Sequence, residues 1–201
     1  FRDIFALSDQ ALMQMPDRMK PRNVTHLLAD RSVLDSWAHT AGIDDSENAE
    51  RIFKRLAEQG VSLHALGNLI KSLGQLLPLF GDADRLLVTL GRFLQVVPSP
   101  PAAVEKFEED SEALEQLLEI LAASPFLGEI VISDPDVWES IRRGSGRPEK
   151  RESLRDDLRS EVGHSLDSSF VMRKLRRFKR REILRVAYGD IVKQQRLETV
   201  V

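Results

Sequence analysis

Apolar residues recur at intervals of three and four through most of the chain, a pattern that predicts amphipathic helices rather than strands. Ala49, Ile52, Phe53 and Leu56 share one side of a segment capped by Asp45 or Ser46 and ended at Gly60, with Glu47, Glu50 and Arg51 on the wetter side. Ser62 opens a second segment, whose Leu63, Leu66, Leu69, Ile70 and Leu73 run toward Pro78. Asp82 or Asp84 opens a third, carrying Leu86, Leu87, Leu90, Phe93 and Leu94. The stretch from Asn23 to Ala41 has the same period, with an internal break that the pattern does not locate. These stripes are packing surfaces, because a helix is stable only when it buries an apolar face.

Four more helix starts follow in close order. Ser99-Pro100-Pro101, Ser111, Ser124-Pro125 and Asp134-Pro135 each place a capping side chain at a helix start, three of them with proline at the first helical position, where no backbone bond is lost. A charged segment with Leu154, Leu158 and Val162 comes next, then a break near Gly163 to Ser165, then a long helix beginning at Ser168 or Ser169. The expected fold is therefore all-α, an array of short antiparallel helices ending in one long basic helix. Low aromatic content beside abundant Leu, Ala, Glu and Arg agrees with that, since straight-chain residues lose little rotamer freedom in a helix.

Charge divides the chain. Residues 1 to 137 carry 12 Lys and Arg against 22 Asp and Glu, while residues 138 to 201 carry 17 against 10, so a net charge of −3 hides a −10 part and a +7 part. Arg142-Arg143-Gly144-Ser145-Gly146-Arg147-Pro148 has linker composition. We expect an acidic helical domain over 1–141, a linker over 142–148 and a basic helical segment over 149–201. Such polarity fits two lobes that neutralise each other, or a basic lobe that meets an anionic partner.

Several chemistries find little support. With no cysteine there is neither a disulfide framework nor a thiolate site, which suits a reducing, cytoplasmic setting. The most apolar stretch, Leu69 to Phe80, is broken by Lys71, Ser72, Gln75 and Pro78, so no membrane span is expected. Asp134 and Asp136 have the spacing of a two-carboxylate magnesium site, yet helix capping by Asp134 and the helix dipole at Asp136 account for both. Gly144-Ser145-Gly146 lacks the Gly-Lys-Ser/Thr tail of a phosphate-binding loop. His26, His39, His64 and His164 are scattered, with no metal-ligand spacing. No catalytic, cofactor or metal residue is assigned.

The segment with the most specific composition is Leu175 to Ile191, preceded by Arg173 and Lys174: eight cations fall between Arg173 and Arg185, with large apolar residues threaded among them. Arg176, Arg177, Lys179, Arg180 and Arg181 are the candidate interaction residues. Taken alone, such a helix suits a free-standing module that binds nucleic acid or an acidic protein. The acidic total and the shortage of aromatics for base stacking count against nucleic acid.

Three blocks resemble the glutamine synthetase adenylyltransferase family, in order and at fitting separations. Gly42-Ile43-Asp44-Asp45 ahead of Ala49 is similar to a Gly-Phe-x-Asp-Pro-x-x-Ala motif of that family. Leu114-Glu115-Gln116-Leu117-Leu118, then Ala123-Ser124-Pro125-Phe126-Leu127, then Asp134-Pro135 ahead of Trp138 resembles its leucine-rich helix, turn and short helix. The basic run from Leu175 to Ile191 resembles the stretch that shortly precedes the family's nucleotidyltransferase core. The resemblance implies a parent enzyme that transfers AMP from ATP, with Mg²⁺, to a tyrosine of glutamine synthetase, or removes it. It also implies glutamine synthetase and a PII-type signalling protein as partners. The family's metal-binding aspartates follow the basic helix, so none is carried over to this sequence. Beginning at Phe1 and ending at Val201, the chain is expected to be a non-catalytic helical fragment of such an enzyme.

Overall fold

The computed structural model describes residues 24–144, 150–163 and 167–192. Among them are eleven α-helices, a 3-10 turn at Leu77–Leu79 and no strand, so the all-α expectation holds. The helices are α1 (Val24–Ala29), α2 (Arg31–Thr40), α3 (Ser46–Glu58), α4 (Leu63–Leu76), α5 (Ala83–Val96), α6 (Pro100–Glu109), α7 (Ser111–Ala123), α8 (Pro125–Ser133), α9 (Pro135–Arg143), α10 (Arg151–Val162) and α11 (Ser168–Ile191). The chain divides into two compact units between Leu118 and Glu119, within α7. Of the expected linker, Arg142 and Arg143 complete α9 and Gly144 caps it, while Ser145 to Pro148 lie outside the described residues, as does His164.

In the first unit, side-chain caps fix where helices start. Asp30 accepts from the Ser32 N–H, which places the break in the 23–41 stretch between α1 and α2. Asp45, rather than Ser46, caps α3 by accepting from the Asn48 N–H, and Ser62 caps α4 through the Ala65 N–H. Asp82 caps α5 through the Arg85 N–H at 3.0 Å. Each such cap satisfies a backbone donor that the first turn leaves over, a contribution of about 1 kcal/mol.

Asp84 is thereby freed for another task. Its two carboxylate oxygens accept the backbone N–H groups of Asp44 and Asp45, at 2.9 and 3.0 Å, and so tie the entry of α3 to the first turn of α5. Gly42 and Gly60 bracket this segment with positive φ, 74° and 92°, which a side chain rarely adopts. Along the same pair of helices, a Cβ added to Gly91 would sit 3.1 Å from Ile52 Cγ2, so glycine there lets α5 come close to α3. Phe53, Leu66, Ile70, Leu73, Leu86 and Leu90 are fully buried at the centre of the unit, with Trp37 set edge-on to Phe53 at 5.3 Å between ring centroids.

In the second unit α8, α9 and α10 all pack on α11. Its core comprises Leu127, Ile130 and Val131 of α8, Val137, Trp138 and Ile141 of α9, and Leu184, Tyr188 and Gly189 of α11. Trp138 meets Tyr188 edge-to-face, with centroids 5.7 Å apart and planes at 73°. The buried residues of α11 lie in its C-terminal half. Its N-terminal half, with the densest positive charge, is left to α10 and to the junction of α8 with α9. On α10 no residue is fully buried; Leu154, Leu158 and Val162 are half-covered.

Candidate functional site

Asp167 starts α11, accepting from both the hydroxyl and the backbone N–H of Ser169. These bonds, first that from the Ser169 hydroxyl and then those from the Ser169 and Phe170 N–H groups, hold the Asp167 carboxyl below its ordinary value of 3.8. From that start the helix runs 24 residues, about 36 Å at 1.5 Å per residue. Helical spacing gathers Arg173, Arg176, Arg177, Arg180 and Arg181 into a stripe, because residues three, four, seven and eight apart share a face.

The five arginines line one groove, of about 530 Å³. The junction of α8 and α9 supplies the other lining, Ile130, Ser133, Asp134 and Val137. Ser133 donates its hydroxyl to the Ile130 carbonyl at 2.9 Å, so Asp134 is the only carboxylate among the lining residues.

Asp134 does not do what its position before Pro135 suggested. It makes no side-chain hydrogen bond to the first turn of α9. Instead its two oxygens accept from Nε and Nη2 of Arg177, at 2.5 and 3.2 Å. This fork-shaped pairing suits a planar guanidinium facing a carboxylate. The hydrogen bonds and then the charge of Asp134 raise the Arg177 pKa above its ordinary value. No sequence pattern announces a pair separated by 43 residues.

Arg181 is held on the other flank. Its Nη1 donates to Glu161 of α10 and its Nε to Glu182 at 3.2 Å, while its guanidinium carbon stands 5.0 Å from the centre of the Phe178 ring. Burial pulls its pKa down, but the hydrogen bonds of Glu182 and Glu161 more than reverse that, and the net shift is upward. The remaining nitrogen of Arg181, Nη2, is buried without a hydrogen-bond partner.

Arg173 lies 5.9 Å from the Phe170 ring centre. Among the described residues no carboxylate pairs with Arg176 or Arg180, both of which are exposed. Of the five residues singled out by sequence, Arg176, Arg177, Arg180 and Arg181 thus come together in the groove; Lys179 is exposed and outside it. Arg173 and the α8–α9 residues complete the groove and were not among those five. Arg173 follows from extending the stripe one turn back, whereas Ile130, Ser133 and Val137 have no chemical signature.

As assembled, the described lining presents guanidinium donors suited to an anion. Its one hydroxyl is engaged with a carbonyl, and its one carboxylate is engaged with a guanidinium. Among the described residues no group of three or more His, Cys, Asp or Glu is placed to hold a metal ion, and no helix is long and apolar enough to cross a membrane.

No solved structure matches the chain. Residues 114–201, which take in most of α7 and all of α8 to α11, match the family model of glutamate-ammonia ligase adenylyltransferase.

Proposed function

We propose that the chain is a non-catalytic helical portion of an adenylyltransferase that transfers AMP from ATP to a tyrosine of glutamine synthetase, or removes it, in the cytosol. The observation that carries this reading is the coincidence of the family match with the second unit, basic helix included. In this reading the nucleotidyltransferase core, elsewhere in the parent enzyme, binds ATP and Mg²⁺. The helices form its platform and take part in recognising glutamine synthetase. A PII-type protein supplies the nitrogen signal.

The experiment compares the 201-residue chain with a longer chain that extends past Val201 into the core. Both are incubated with radiolabelled ATP, Mg²⁺ and glutamine synthetase. Label is expected on glutamine synthetase only with the longer chain. Transfer by the 201 residues alone would overturn the non-catalytic reading, and no transfer by either would overturn the assignment of the parent activity.

A further inference from the structure

The arginine stripe is costly to the free protein. Like charges at i, i+3 and i+4 repel on a helix, and Arg173, Arg176, Arg177 and Arg180 form four such pairs. Where the fold needs a cation in this region it supplies a carboxylate of its own: Asp134 for Arg177, Glu161 and Glu182 for Arg181. Among the described residues no such contact uses Arg173, Arg176 or Arg180, yet they stand in a row, one per turn of α11 along the groove. A structural explanation covers the first two arginines and leaves the other three.

We infer that this groove is an anion site for an oligophosphate, two or more linked phosphoryl groups laid along α11 against Arg173, Arg176 and Arg180. Three features favour phosphate over a carboxylate ligand. All five cations are arginine, whose planar fork of donors matches phosphate oxygens, and none is lysine. The unpaired charges form a line, which a chain of adjacent anionic groups matches and a single carboxylate does not. The one carboxylate already in the groove satisfies Arg177 alone and leaves that line unmatched. Ile130 and Val137 give the other lining an apolar character, so a ligand seated there meets donors from α11 with part of the water excluded.

The test is calorimetric titration of the 201-residue chain with inorganic orthophosphate, pyrophosphate and tripolyphosphate at fixed ionic strength. Affinity is expected to rise along that series. The double variant Arg176→Gln/Arg180→Gln removes two exposed guanidiniums that make no ion pair among the described residues, and helicity by circular dichroism checks that it folds. Its Kd for tripolyphosphate is expected to rise at least about tenfold, the equivalent of one charge-assisted hydrogen bond. The control Lys174→Gln/Lys179→Gln removes the same charge from the same helix outside the groove, and is expected to change Kd by about twofold or less, since exposed charges act weakly through water.

Equal losses in the two double variants would overturn the inference, because the helix would then be reading charge alone. So would a glutamate-rich peptide that binds as tightly as tripolyphosphate and is equally sensitive to Arg176→Gln/Arg180→Gln. A short DNA duplex binding more tightly than tripolyphosphate through the same two arginines would replace it with a nucleic-acid surface.

Discussion

Two aspartates at helix starts, one in each unit, show how differently the units are built. Asp84 sits in the first turn of α5 and accepts two backbone N–H groups from the entry of α3, so it closes a join between segments that are already apolar and packed. Asp134 precedes α9 and gives its carboxylate to a guanidinium at the edge of an open groove. In the first unit polar groups serve the packing. In the second, much of α11 is organised around charge, and its apolar core is confined to the far end of that helix. Where a helix has one clean apolar stripe its partner surface is predetermined; where cations surround most of it, only the neighbours decide which ones remain available.

The strongest way to probe that contrast is to empty each core in turn. Phe53→Ala in the first unit and Trp138→Ala in the second each remove a fully buried aromatic from an edge-on ring pair, and each is expected to cost about 3–5 kcal/mol. Chemical denaturation gives the total, and amide exchange locates it. If Trp138→Ala costs less than about 1 kcal/mol, the second unit is held by its ion pairs and the contrast drawn above is wrong.

Next in size is the backbone. Gly60→Ala would force a side chain into φ 92°, at an expected cost of about 1–2 kcal/mol, even though the nearest atom to the new Cβ, Pro101 Cγ, is a comfortable 3.8 Å away. Gly163 also has positive φ, 60°, with no atom of the described residues within 4 Å of an added Cβ, at the charged and loosely covered end of α10. Gly163→Ala is expected to disturb amide exchange only at the end of α10. Equal global losses for the two would mean that α10 is as integral to its unit as α3 is to the first.

These contrasts explain what the sequence could and could not tell. The helices of the described residues were largely legible because caps, prolines and three-four apolar spacing are local signals: Ser62, Ser99 and Ser124 act where the pattern put them, and Asp45 is one of the two caps it offered for α3. Local signals cannot choose between two nearby aspartates when one has a distant use. At α5 the choice between Asp82 and Asp84 was left open, and the structure assigns the cap to Asp82 because Asp84 is taken by a segment some 40 residues away. At α9 the capping account of Asp134 fails for the same reason, its partner being in α11. The cations of the groove were readable as a run, but which of them are neutralised depends on α8, α9 and α10, and no spacing rule carries that information.

A double-mutant cycle on Asp134 and Arg177 tests the pairing. The Arg177 side chain is 55% exposed and that of Asp134 20%, so screening by water limits the coupling to about 0.5–1 kcal/mol despite the two-bond geometry. Asp134→Ala and Arg177→Ala measured together should show that coupling, reduced by high salt. If Asp134→Ala costs as much in the Arg177→Ala background as in the unaltered chain, the aspartate is acting as a helix cap after all.

The smallest effect separates capping from pairing by pH. Asp167 accepts bonds from Ser169 and Phe170, and these hold its carboxyl below the ordinary value of 3.8. A folded-state pKa below the unfolded one means stabilisation that is fully present above the ordinary value and is lost as pH falls through the depressed one. On acidification, the Ser169 and Phe170 amides are therefore expected to keep their protection down to about pH 4 and to lose it below that, as the first turn of α11 frays. Asp167→Asn, which keeps an acceptor oxygen but does not titrate in this range, should abolish the pH dependence while retaining most of the protection. Fraying at Asp167 should leave the Arg177–Asp134 and Arg181–Glu161 pairs intact. Loss of protection around Arg177 at the same pH as at Ser169 would show that the cap and the groove form one cooperative element, and would erase the distinction between a helix positioned by its ends and one positioned by its charges.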